Sequence, residues 1–198
     1  DLASADIYRE LNLLGEAAEI YRRVALEFAR LRLRAEEARS RLHYGRTTAA
    51  LGENRAAKRE LERALRLFRS EKNYSGQVAA LSAMADLAIR QRHFGKAQKA
   101  LADAHATLRR DDDPRHEIAV KLLEGRALAG AGDSVRAGRV LADAERLAAK
   151  RQQTNTLQSI RTELGKLAAA SGDNAAARKY FEKAIRDIAG LRSTVGAD

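Results

Sequence analysis

The sequence contains no cysteine, no tryptophan, one proline and one methionine in 198 residues. Without thiols, neither a disulfide framework nor a thiolate metal centre can form. A single proline and a composition dominated by Ala, Arg, Leu and Glu argue against a turn-rich β fold and predict an all-α chain. Aromatic residues make up 5% of the chain, too few for a base-stacking platform along single-stranded nucleic acid. No apolar run approaches the roughly 20 residues that span a bilayer, and no basic-then-apolar signal segment opens the chain. The expectation is a soluble, cytoplasmic protein with no membrane partner. Asp1 falls partway into a first helix in the register described next, which sets the further expectation of boundaries cut from a longer protein.

What the sequence has in abundance is internal repetition. The stretch Leu122 to Ala144 reads as two short helices joined at Gly132-Asp133, with Gly125 on the first and Ala137, Leu141 and Ala144 striped along the second. Subtracting 40 gives Ala85, Ala97, Leu101 and Ala104; subtracting 80 gives Gly45, Ala57, Leu61 and Ala64. Adding 40 gives Gly165, Ala177, Phe181 and Ala184, and subtracting 120 gives Ala5, Ala17, Tyr21 and Val24. Five copies of one small-large-small pattern in unbroken register predict a helical solenoid. The copies cover residues 1–33, 34–73, 74–113, 114–153 and 154–190, with a polar tail at 191–198.

Helices are expected over 1–13, 16–31, 35–51, 55–71, 77–91, 95–109, 114–131, 134–150, 155–171 and 174–189. Gly52-Glu53, Gly132-Asp133 and Gly172-Asp173 each place a residue tolerant of positive φ before an acid at the next helix start. Asn12 and Arg92 occupy the glycine slot in the other two copies. Asn73-Tyr74-Ser75-Gly76 reads as a break, Asp111 to Pro114 as the sharpest boundary, and the turn at 30–34 is placed by register alone. The tail from Gly190 is expected to fray.

These residues resemble the tetratricopeptide repeat family along essentially the whole chain. The sequence departs from the usual 34-residue unit and from the proline that often ends it. The six extra residues are expected between each second helix and the next first helix, as in Phe68 to Gln77, lengthening both by part of a turn. Longer units of this kind are familiar from kinesin light chains, bacterial transcription activators and the arrays of caspase-like CHAT proteases; the Arg/Ala-rich style and the ending Tyr180 to Arg192 resemble the last of these. The resemblance implies a right-handed superhelix whose first helices line a concave groove that binds a peptide or helix of a partner protein.

Carrying the family's groove positions onto this chain picks Arg39, Leu42, Arg46 and Ala49, then Ala79, Ser82, Asp86 and Ile89, then Ala119, Leu122, Arg126 and Ala129, then Ser159, Thr162, Lys166 and Ala169, with Arg90 alongside. Such a lining favours a protein or peptide carrying acidic and apolar residues. Chaperone-binding members clamp a C-terminal carboxylate with Lys and Asn; the Asn slots here hold Asp6, Arg46 and Asp86, which argues against that ligand.

Chemistry is harder to find. His43, His93, His105 and His116 share no repeat position or metal-ligand spacing, and read as solvent-facing. Glu36-Glu37 and Asp111 to Asp113 lie where helix starts favour negative charge, and Gly130 to Asp133 lacks the Lys-Ser/Thr of a phosphate loop. No cofactor, metal or catalytic constellation is called for, and the chain is read as a binding scaffold, the recognition or regulatory part of a larger bacterial protein. The alternatives are a nucleic-acid surface, given a formal charge of +10, and the regulatory array of a CHAT-type protease. Much of that charge lies in second helices such as 55–72, where a solvated outer face explains it equally. The last helix carries Phe181, Ile185 and Ile188 on one stripe, expected to pack on a missing domain, a partner or a second copy.

Overall fold

The computed structural model describes residues 2–111 and 113–195, with side chains at 2–111, 113 and 115–187. Among these, ten α-helices follow one another without a strand: α1 (Leu2–Glu10), α2 (Leu14–Arg30), α3 (Arg34–Ala50), α4 (Asn54–Ser70), α5 (Tyr74–Arg90), α6 (Phe94–Leu108), α7 (Pro114–Gly130), α8 (Ser134–Lys150), α9 (Thr154–Ala170) and α10 (Asn174–Val195). No described helix is long and apolar enough to cross a membrane.

The turns explain the regularity. Asn12, Arg32, Gly52, Lys72, Arg92, Gly132, Gln152 and Gly172 all have positive φ, between 52° and 89°. They recur every 20 positions, and position 112 lies outside the described residues. Each closes its helix in the same way. At the second turn, Arg32 N–H donates to Ala29 O (3.2 Å) and Leu33 N–H to Phe28 O (3.0 Å), the paired bonds of a Schellman motif. Seven helices (α2 to α5 and α7 to α9) have 17 residues, and with a three-residue turn each fills one 20-residue half-repeat. The six residues beyond the usual unit are therefore absorbed by the helices, and the connection between repeats is no longer than the one within them. Asn73 is a helix cap whose side chain accepts from Gly76 N–H at 2.7 Å, so 74–76 belong to α5 rather than to a break. α10 continues to Val195 where fraying from Gly190 was expected.

Five of these left-handed residues carry a Cβ, which is costly there. Gly132→Ala is therefore expected to cost about 1 kcal/mol, while Lys72→Gly should raise stability by roughly 0.5 kcal/mol. Thermal unfolding followed by circular dichroism checks both; equal melting temperatures for Lys72→Gly and the parent would count against strain at that turn.

The small-large pattern is a size match between helices. A Cβ added at Gly45 would meet Leu61 at 2.8 Å, one at Gly125 would meet Leu141 at 2.5 Å, and one at Gly165 would meet Phe181 at 2.7 Å. The glycine makes room for the large side chain sixteen residues on; at Gly45 the Ala57 carbonyl oxygen also comes within 3.3 Å of the Cβ position. Phe181 thus points inward. Ile185 on α10 is 64% exposed, and the side chain of Ile188 lies outside the described residues.

The helices form two compact units, 1–116 and 117–198. In the first, each of α1 to α5 packs on the helix that follows it, and α3 also touches α5. Ala5, Ala17 and Tyr21 form one buried cluster, with Tyr44 against it. In the second, α9 packs on α8 and α10 around Ile118, Leu122, Leu141, Leu157, Ile160 and Leu164.

Candidate functional site

In the first unit, side chains from α1, α3 and α5 meet on one face. Asp6 of α1 is its anchor. It accepts a hydrogen bond from the Tyr21 hydroxyl and lies 3.8 Å from Arg9 Nε and 3.9 Å from His43 Nδ1. Burial, reinforced by the bond to Asp6, pushes the Tyr21 phenol up to about 12. The His43 ring stacks on Tyr21 with centroids 5.3 Å apart and planes 21° from parallel. Burial holds His43 below its ordinary value, so the neutral ring is favoured. His43 is thus a packed, half-buried residue, and not the solvent-facing one expected.

Arg39, Arg46 and Arg90 are exposed, and Asp86 and Ile89 half-buried. Arg46 reaches across from α3 to donate to Ala79 O on α5 at 3.3 Å. Although solvent reaches it, protein surrounds it closely enough that desolvation, and then Arg9, pull its pKa below the usual arginine range, with Asp86 opposing them. That combination marks a recessed position with a surplus of positive charge. Asp86 pairs with Arg90 at 2.9 Å. The predicted Arg39, Arg46, Asp86, Ile89 and Arg90 therefore lie on elements packed together with Asp6, which shares the register slot of Arg46 and Asp86, and Arg9 and His43 join them as participants that register alone did not select.

Leu42, 5% exposed, is a core residue rather than an exposed anchor. The same holds in the second unit for Leu122, 8% exposed and packed with Ile118 and Leu157. There Arg126 and Lys166 both lie 3.1 Å from Glu163 Oε1. Glu163, one residue past the groove position Thr162, is partly buried, and its charge offsets the two cations.

A second cluster sits between the start of α5 and the end of α6, lined by Asn73, Tyr74, Ser75 and Arg110. Its acid, Asp111, accepts from Ser75 Oγ at 2.7 Å and pairs with His116 Nδ1 at 2.5 Å. Hydrogen bonds from Ser75 and His116 hold Asp111 below the usual carboxylate range despite its burial. These contacts brace a turn and give His116 a structural partner. Among the described residues no group of three or more His, Asp and Glu side chains could hold a metal ion.

Residues 159–186 match the family model described as Tetratricopeptide repeat. The chain is similar to solved structures of low sequence identity. One is a kinesin light chain described as having nearly identical TPR-like repeats, from Podosopora anserina, at 18% identity over 97% of this chain and 94% of that one (TM-score 0.71). Another is BtubC (BKLC) from P. vanneervenii, at 19% identity over 95% and 78% (TM-score 0.73). A third is the apo form of RapI, at 17% identity over 96% of this chain and 51% of that one (TM-score 0.78). These likenesses carry the fold. None of the curated proteins matches the sequence.

Proposed function

Taking the chain as a tetratricopeptide-repeat protein, we propose that it is an interaction scaffold whose α1–α3–α5 face binds an acidic segment of a partner protein. The observation that carries this is the imbalance of charge on that face. Arg9, Arg39, Arg46 and Arg90 stand against Asp6 and Asp86, and both acids already have cationic partners. Exposed ion pairs contribute only about 0 to 1 kcal/mol each, so stability gives little reason for the surplus. In the second unit the corresponding cations share Glu163, which leaves the first unit as the stronger anion-binding face. The outer side of α4 is also basic, with Arg55, Arg59, Arg66 and Arg69 exposed, but it lacks the recess that desolvates Arg46.

The test is fluorescence anisotropy with three labelled probes of equal length: a Glu/Leu peptide, a Lys/Leu peptide and a single-stranded oligonucleotide. The acidic peptide should bind, and Arg39→Glu with Arg46→Glu should weaken it at least about tenfold (~1.4 kcal/mol) at unchanged helical content. Arg66→Glu with Arg69→Glu on α4 serves as a charge-matched control and should have a smaller effect. Equal losses from both pairs would reduce the effect to net charge. Tighter oligonucleotide binding with a steep salt dependence would turn the reading to nucleic acid.

A further inference from the structure

In the first unit, the turns after α2, α4 and α6 lie side by side along one edge. Arg34, at the start of α3, comes within 3.9 Å of Glu71, and Ser75, at the start of α5, donates to Asp111 at 2.7 Å. The first of these turns differs from the other two. It reads Arg30-Leu31-Arg32-Leu33-Arg34, and all five residues are exposed. Leu31 is 60% and Leu33 43% exposed. The chain reverses at Arg32, where φ is positive, so that one leucine ends α2 and the other precedes α3. The same positions after α4, α6 and α8 hold Glu71 and Asn73, Asp111 and Asp113, and Arg151 and Gln153. The turn itself therefore does not require leucine.

The cations of this edge are in surplus. Arg34 has Glu71 as its partner. Arg30 and Arg32, with Lys72 and Arg109 on the neighbouring turns, are exposed and make no ion pair among the described residues. Against them stand Glu71, already paired, and Glu27, one turn back on α2. The opposite edge separates the two features. Leu11, Leu13 and Leu51 are exposed there as well, but the residues beside them in those turns are Asn12, Gly52 and Glu53.

We infer that the α2–α3 turn docks this edge on an anionic phospholipid surface. Leu31 and Leu33 enter the boundary of the acyl region, while Arg30, Arg32 and Lys72 hold headgroup phosphates, whose oxygens suit the planar fork of arginine. The alternation of the two residue types selects the polyanion. A nucleic-acid backbone satisfies the arginines and leaves both leucines in water, whereas a bilayer interface sets phosphates directly above hydrocarbon and takes up both. The expectation of no membrane partner came from the lack of a spanning segment, and a turn that lies on the surface needs none. None of Arg9, Arg39, Arg46 and Arg90 takes part, so this surface is separate from the acidic-peptide face.

The experiment sediments the full chain with sucrose-loaded vesicles of phosphatidylcholine, alone or mixed with phosphatidylglycerol. Partition into the mixed vesicles should be at least about tenfold stronger. Leu31→Ser/Leu33→Ser and Arg30→Gln/Arg32→Gln should each weaken it about tenfold at unchanged helical content, and Leu11→Ser/Leu13→Ser on the opposite edge should leave it as it is. Because the chain has no tryptophan, Leu31→Trp supplies a single reporter whose emission should shift to the blue on the mixed vesicles. Sedimentation that survives the leucine exchange, or a bound protein whose tryptophan emission does not move, reduces the effect to charge adsorption and overturns the inference. Equal loss from the opposite-edge pair overturns it too, as does failure to sediment with either vesicle. Tighter binding to a duplex oligonucleotide, indifferent to the leucine exchange, overturns it in favour of nucleic acid. Both edge variants should bind the acidic peptide as the parent does, so either reading can fail without the other.

Discussion

Replacing Arg41 with alanine is expected to lower stability by about 3–5 kcal/mol, seen as a shifted urea midpoint in far-ultraviolet circular dichroism. The side chain is 4% exposed and links two helices, with Nε 2.6 Å from Glu37 Oε1 and Nη1 2.6 Å from Glu60 Oε2. Glu37 is itself only 8% exposed. Truncating the arginine strands that carboxylate in a site too dry for water to replace the lost partner, with only Arg63, 3.5 Å away and half in solvent, to offset it. The charge cluster as a whole contributes much less. Its ions are desolvated, and Arg41 Nη2 is buried with no acceptor. Exchanging Glu37, Arg41 and Glu60 together for Leu, Met and Leu is therefore expected to be neutral or stabilising. A loss below about 1 kcal/mol for Arg41→Ala would put the network in the range of surface pairs. Arg161, in the same register slot 120 residues on, joins Glu145 of α8 to Asp187 of α10. At 17% exposure, with both carboxylates also partly reached by water, its loss should cost less than that of Arg41.

The contrast between these two arginines shows what was readable in the residues alone. Register identifies the slot, because side-chain size at 45, 61, 125 and 141 must repeat wherever one helix packs on the next. It does not identify the partners: Arg41 finds its acids four residues back and nineteen ahead, Arg161 sixteen back and twenty-six ahead. The same limit hid Glu163 beside Arg126 and Asp6 beside His43, since ion pairs depend on where long side chains end and not on where they start. Turn positions divided along similar lines. Gly52, Gly132 and Gly172 announce positive φ, whereas Arg32, Lys72 and Gln152 adopt it because the Schellman bonds and flanking helices impose it. Gly76 looked like a turn residue and is instead a helical position kept bare by the Phe68 ring, 2.3 Å from where a Cβ would stand. Leu42 and Leu122 were carried to the groove by family position, and helix packing turned them into the core.

The size match between paired helices gives the other large effect. Gly125→Leu is expected to cost about 3 kcal/mol, because the Cγ and Cδ2 atoms of Leu141 already lie 2.5 Å from the position of the first added carbon. Leu141 is 1% exposed and has no solvent into which to move. The gain in helix propensity from removing a glycine, about 1 kcal/mol, is too small to offset the overlap. Leu141→Ala alone should cost about 2–5 kcal/mol through lost burial and the cavity it leaves. If the pair is a matched volume, the double variant Gly125→Leu/Leu141→Ala moves the bulk from one helix to the other. It should then be more stable than the sum of the single losses implies, by at least about 1 kcal/mol of coupling. Urea unfolding of the four proteins measures that coupling directly. Additive losses would mean that the two positions sense their surroundings independently, and that the glycine at 45, 125 and 165 answers to something other than the large residue sixteen positions later.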